Sequence, residues 1–171
     1  MSNVSQFIGA GWIPLETIEL TGAVTTVDFD SNIDDTFNNY VVTGTYTLSG
    51  NSTIFCRLKT GDPSAIINAG YRWLSTYPGS TNDIDTTGAN EAIIGAYSGS
   101  FITYFMNLRS SDEFKSIVSQ TTGYSGGIMY VRDYTSALLQ NASIINGIRI
   151  LLSTGFNINT GKFTLYGIQE L

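Results

Sequence analysis

The residues able to do chemistry in this chain are its carboxylates: Asp28, Asp30, Asp34, Asp35, Asp83, Asp85, Asp112, Glu113, Asp133, Glu16, Glu19 and Glu91. Two carboxyls facing one another across a cleft, roughly 5–9.5 Å apart, would hydrolyse a glycoside. Linear spacing establishes no such pair, and most of these acids sit beside turn residues, where a solvated acid is ordinary. Histidine is absent, which removes the Ser-His-Asp and Cys-His arrangements, a His-bearing zinc site and the metalloprotease helix motif. The one cysteine, Cys56, has no partner for an internal disulfide. On a strand face shared with Ile54 and Leu58 it reads as a small buried hydrophobe, with no imidazole to draw its proton. No enzyme activity and no catalytic residue is expected.

The run Asp28-Phe29-Asp30-Ser31-Asn32-Ile33-Asp34-Asp35 alternates oxygen donors in the manner of a calcium loop. It departs from the EF-hand pattern, because Ile33 occupies the glycine position and Asn39 stands where a bidentate Glu belongs. A looser calcium site near Asp28, Asp30 and Asp34 is one reading. The other is a strand carrying Val27 and Phe29 inward that runs into a polar turn closed by Asx turns. Gly9-Ala10-Gly11 and the stretch from Gly123 to Gly127 lack the strand-to-helix context and the Lys of a phosphate loop. No other cofactor is implied.

Aromatic side chains are the remaining candidates for contact. Tyr71, Trp73 and Ser75 share one strand face, with Tyr77 following. An exposed face of this kind would stack on sugars or pack on a partner; a buried one would put Trp73 in the core. Trp12 is expected to pack inward at the start of the first strand. The polar stretch 77–90, carrying Asp83 and Asp85, is a long connection, in the range of roughly 12–15 residues where structureless loops become uncommon in compact domains, which makes it a candidate contact loop.

The elements that position these residues are strands. Val41, Thr43, Thr45 and Thr47 alternate with Val42, Gly44, Tyr46 and Leu48, a period of two in a β-branched and aromatic sequence. Strands are expected near 13–20, 24–30, 39–49, 53–60, 70–77, 91–97, 101–108, 114–121, 127–134, 143–152 and 161–169. Ser49-Gly50-Asn51-Ser52 reads as a tight hairpin, and Thr60-Gly61-Asp62-Pro63-Ser64 as a turn that stops pairing. Ser110 to Phe114 and Ser136 to Asn141 are the two candidate helical turns. Ile148 to Ser153 and Gly161 to Ile168 read as a closing hairpin. Turn spacing without βαβ alternation implies an all-β fold, an antiparallel sandwich of jelly-roll type with about ten strands.

A chain of 171 residues with 42% hydrophobic and 13% charged residues has enough apolar material for one self-sufficient core. The expected organisation is an N-terminal arm over residues 1–11 and one sandwich domain over 12–171. The net charge of −6, with Lys and Arg scattered, argues against a nucleic-acid partner, which needs a clustered basic face. The N-terminus lacks the basic and apolar regions of a signal peptide, and no apolar run approaches the roughly 20 residues of a membrane span. Synthesis in a cytoplasm and no membrane partner are therefore expected.

Gly11-Trp12-Ile13-Pro14-Leu15-Glu16, Val27-Asp28-Phe29, Phe37-Asn38-Asn39-Tyr40, Tyr71, and the closing Gly161-Lys162-Phe163-Thr164-Leu165-Tyr166-Gly167-Ile168 occur in this order. In that pattern the chain resembles small all-β structural proteins of tailed bacteriophage virions. The resemblance implies a non-enzymatic virion component that decorates or cements the capsid, with the major capsid protein as partner, and a homotrimer. The alternative it implies is a tail or fibre-tip protein that binds a host-surface glycan. It transfers no catalytic residue. The expected contacts are Phe7 and Ile8 in the arm, together with Tyr71, Trp73, Tyr77, Asp83 and Asp85.

Overall fold

Among the described residues the elements are strands, and burial alternates along much of Tyr40–Leu48, Thr53–Thr60, Ser98–Met106 and Lys115–Ser125. The computed structural model describes residues 11–61, 65–76, 90–138 and 143–169, with the side chains of 72–76, 132 and 134–138 outside that description. Twelve strands follow: β1 (Trp12–Leu20), β2 (Thr26–Phe29), β3 (Tyr40–Leu48), β4 (Thr53–Thr60), β5 (Ala65–Ile66), β6 (Tyr71–Thr76), β7 (Ala92–Ala96), β8 (Ser98–Met106), β9 (Lys115–Ser125), β10 (Ile128–Leu138), β11 (Gly147–Leu152) and β12 (Ile158–Ile168). Every strand pairing is antiparallel.

Eight of these strands pair concentrically, first with last: β1 with β12, β2 with β11, β3 with β8, and β4 with β7. Alternate pairs fall into opposite sheets, and the contacts of β12 with β3 and β11 with β4 complete each sheet. The results are a large sheet ordered β1-β12-β3-β8-β9-β10-β6 and a small sheet ordered β2-β11-β4-β5, with β7 also on β4. Nested pairing of this kind is the jelly roll. The β9–β10 hairpin, inserted between the sixth and seventh of the eight nested strands, widens the large sheet.

This topology corrects several local expectations. Ser49 to Ser52 forms no hairpin, because β3 and β4 lie in different sheets, and the β11–β12 connection is likewise a crossing between sheets. Pairing does continue past Gly61, where a φ of 81° turns the chain so that Thr60 meets Ala65. Ser110 to Phe114 contains no helical turn, although the Ser110 hydroxyl accepts from the backbone N–H groups of Asp112 and Glu113 as a helix cap would. Ser136 to Leu138 is strand, held between β9 and β6 on both sides, so ladder pairing overrides the helix propensity of Ala and Leu. Residues 139–141 lie outside the described residues.

Between the sheets, Phe29, Ile54, Cys56, Leu58, Tyr71, Phe105, Ile148, Ile150, Phe163 and Leu165 are fully buried. Each large apolar side chain among them contributes about 1.5–3 kcal/mol of transfer free energy. Gly44 and Gly161 are part of this packing: a Cβ on Gly44 would sit 2.6 Å from the Phe101 ring, and one on Gly161 2.6 Å from the Phe163 ring. Bare backbone at those two positions lets the rings lie against the sheet.

Candidate functional site

The two sheets present different chemistry to solvent. On the small sheet, the outward positions of β2, β4 and β11 carry Asp28, Arg57, Lys59 and Arg149. Lys59 is 3% exposed, and its ammonium lies 2.6 Å from Asp28 Oδ1 and 2.7 Å from Asp30 Oδ1. Arg149 donates to both oxygens of Asp28, at 2.7 and 3.1 Å. Burial alone would raise the Asp28 pKa, but hydrogen bonds and charge from Arg149 and Lys59 outweigh it and hold the carboxyl below its usual range. Arg57 closes the face with a pair to Glu91 at 2.8 Å.

That network corrects the calcium reading of the loop. The oxygens of Asp28 and Asp30 face the side-chain cations Lys59 and Arg149, which supply the positive charge a metal would. Asp34 Oδ1 accepts from Thr36 N–H at 2.9 Å, an Asx turn. Among the described residues no group of three or more His, Cys, Asp or Glu side chains converges on a possible metal position. Further acids are also paired: Glu19 with Lys162 at 2.7 Å, and Asp35 with Arg109.

The outer face of the large sheet is built from hydroxyls. Strand register sets Thr17, Thr164 and Thr43 side by side in one row, and Glu19, Lys162, Thr45, Ser100 and Thr122 in the next. Hydroxyls bond across the strands: Thr17 to Thr164 at 3.1 Å, Thr47 to Thr160 at 2.8 Å and Ser100 to Thr122 at 2.8 Å. Two depressions of about 590 and 350 Å³ adjoin at Thr45 and Lys162. Their floors include the backbone at Gly44, Gly99 and Gly161. At one end stands Tyr166, its ring 5.6 Å from that of Trp12, which lies 6.0 Å from Tyr104.

Trp12 therefore sits on the outside, 38% exposed, and not in the core as its position before an apolar strand suggested. It covers a sheet face together with two tyrosines, and Val41 between them is fully buried. Tyr71 went the other way. It is fully buried, and its hydroxyl accepts the Leu58 N–H at 2.8 Å, so it holds β6 to the small sheet's core and offers nothing to a partner. Burial pushes its phenol pKa up, as it does for the Cys56 thiol. The backbone of Trp73 pairs with Ser136, while its side chain is outside the description. Phe7, Ile8, Tyr77, Asp83 and Asp85 lie outside the described residues, as does the loop 77–89.

A second surface was missed by the sequence reading. The β9–β10 hairpin turns through Gly126 and Gly127 at φ 58° and 84°, the two left-handed residues of a type I′ turn. Around that turn Tyr124, Ile128 and Met129 are 62%, 58% and 72% exposed, and Val131 is also exposed. The Gly-Gly doublet between two β-branched runs was the available signal.

No family model and no curated protein matches the chain. Among solved structures, a galectin of Caenorhabditis elegans is similar at 13% identity and a TM-score of 0.36, covering 89% of this chain and 96% of that one. The infectious bursal disease virus structure, Gt strain, is similar at 12% identity and a TM-score of 0.18, over 95% of this chain and 40% of that one. The jelly roll rests on the strand pairing of this chain and not on these likenesses.

Proposed function

We propose that this protein is a non-enzymatic structural subunit of a bacteriophage virion that decorates the assembled capsid, with the major capsid protein as its partner and a homotrimer as its working form. The observation that carries the reading is the β9–β10 tip: Tyr124, Ile128 and Met129 stand exposed on a ribbon that is an addition to the eight nested strands. Exposed aromatic and Met side chains are the residue types enriched at protein contacts. The two-residue I′ turn fixes the register of the ribbon that carries them. A subunit that binds only the assembled shell stabilises it by about 4 kcal/mol per site at a thousandfold excess over Kd, and many sites multiply the effect.

The test is co-sedimentation of purified protein with particles stripped of it. Wild-type protein rebinds, and Met129→Lys, which places a charge at a solvated position, loses rebinding with an unchanged circular dichroism spectrum. Rebinding by the variant at wild-type strength would overturn the assignment of this surface.

A second reading, a tail or fibre-tip protein that engages a host-surface glycan, is favoured by one observation: the hydroxyl-lined depressions with aromatic rings at one end.

A further inference from the structure

We infer that the outer face of the large sheet is a binding site for a neutral oligosaccharide, which lies across β12, β3 and β8 with a sugar ring against Trp12 and Tyr166. This rests on the glycan-engaging reading of the protein and names the site and ligand class.

The two depressions form one trough, because both are lined by Thr45 and Lys162. The trough is lined by the hydroxyls of Thr43, Thr45, Thr47, Ser100, Thr160 and Thr164. Thr47 and Thr160 bond to each other, while Thr164 and Ser100 bond to Thr17 and Thr122 beside the trough; each pair uses one O–H between its partners, which leaves the second O–H and several lone pairs directed elsewhere. A polyol ligand, whose every hydroxyl both donates and accepts, matches such a surface.

Charge points the same way. The ionic groups lining the trough, Glu19 and Lys162, neutralise each other at 2.7 Å, so neither a phosphate nor an ammonium ligand gains from entering. An apolar ligand would strand the hydroxyls. The Trp12 indole, propped by Tyr104 and Tyr166, supplies the flat apolar plane on which the C–H face of a sugar packs. The exposed Thr45 stands at the junction of the two depressions, so a long side chain there fills both.

The experiment uses the full chain on a printed array of neutral and acidic bacterial oligosaccharides, with Thr45→Lys and Trp12→Ala compared with wild type. Unfolding midpoints verify that both variants are folded. Wild-type protein is expected to bind neutral oligosaccharides, with at least a tenfold loss in each variant. Binding confined to acidic glycans, binding unaffected by Thr45→Lys, or no binding by folded wild type would each overturn the site. Particle co-sedimentation of Thr45→Lys, run in parallel, separates the two readings: retained rebinding with lost sugar binding assigns the trough to glycan alone, and lost rebinding with no sugar binding assigns this face to the particle.

Discussion

Replacing Asp28 by Asn removes the carboxylate that joins three strands, since Arg149 of the adjacent β11 and Lys59 of β4, the strand beyond it, both reach it on the edge strand β2. Truncating one partner of a fully buried ion pair costs about 3–5 kcal/mol. Here the cost is smaller: Arg149 is 30% exposed at its side chain and Lys59 keeps Asp30. About 1–3 kcal/mol is expected at pH 7 after that discount, and for a chain of this length each kcal/mol lowers Tm by roughly 2–4 °C. The sign with pH follows from the lowered Asp28 pKa. A carboxyl held below its unfolded value contributes stability that is complete above about pH 5 and is lost as pH falls through the folded-state value. Wild type and Asp28→Asn should therefore converge in strong acid. Urea unfolding at pH 7, 4 and 2.5, followed by circular dichroism, reads both effects. A stability gap that stays constant over that range, or a gap below about 0.5 kcal/mol at pH 7, would refute the view of Asp28 as a charged tie.

Gly44→Ala should destabilise by about 1–3 kcal/mol through overpacking against Phe101 and Phe163, and an unchanged urea midpoint would mean those rings have room to move aside. The Cys56 thiol, fully buried and with its pKa pushed up by that burial, should resist a disulfide labelling reagent at pH 8 until urea unfolds the chain; rapid native labelling would contradict its place between the sheets. Deleting residues 1–11 should leave the circular dichroism spectrum intact and abolish particle rebinding, because the described sandwich begins where that arm ends. Retained rebinding would remove the arm from the contact.

The strands were legible because alternation survives wherever one face is buried. β3 is buried at every second position from Tyr40 to Leu48, and its outward face carries the threonines 43, 45 and 47 and Val41, which the rings of Trp12, Tyr104 and Tyr166 cover. Which strands pair was not legible at the corners. Ser49 to Ser52 has the composition of a hairpin turn, yet it carries the chain between sheets, since β3 pairs with β12 and β8, more than fifty residues away. Local turn chemistry sets the bend and not the partner.

Site residues divided along the same line. Trp12 and Tyr71 each precede or open an apolar run, and sequence gives both the same prospects. Long-range packing sent Tyr71 to the Leu58 N–H and Trp12 to the rings of Tyr104 and Tyr166. The acid-rich loop resembled a metal site because its neutralising cations, Lys59 and Arg149, come from strands far along the chain. The hydroxyl face emerges only once five strands align, because no single strand holds more than a part of it.

Cryo-electron microscopy of the virion that carries this protein tests the central claim most directly. Density for the jelly roll at repeating lattice positions on the head, with the Tyr124–Met129 tip turned toward the shell, is the predicted result. Density confined to the tail or fibre tips would contradict capsid decoration and leave the hydroxyl face of the large sheet as the functional surface.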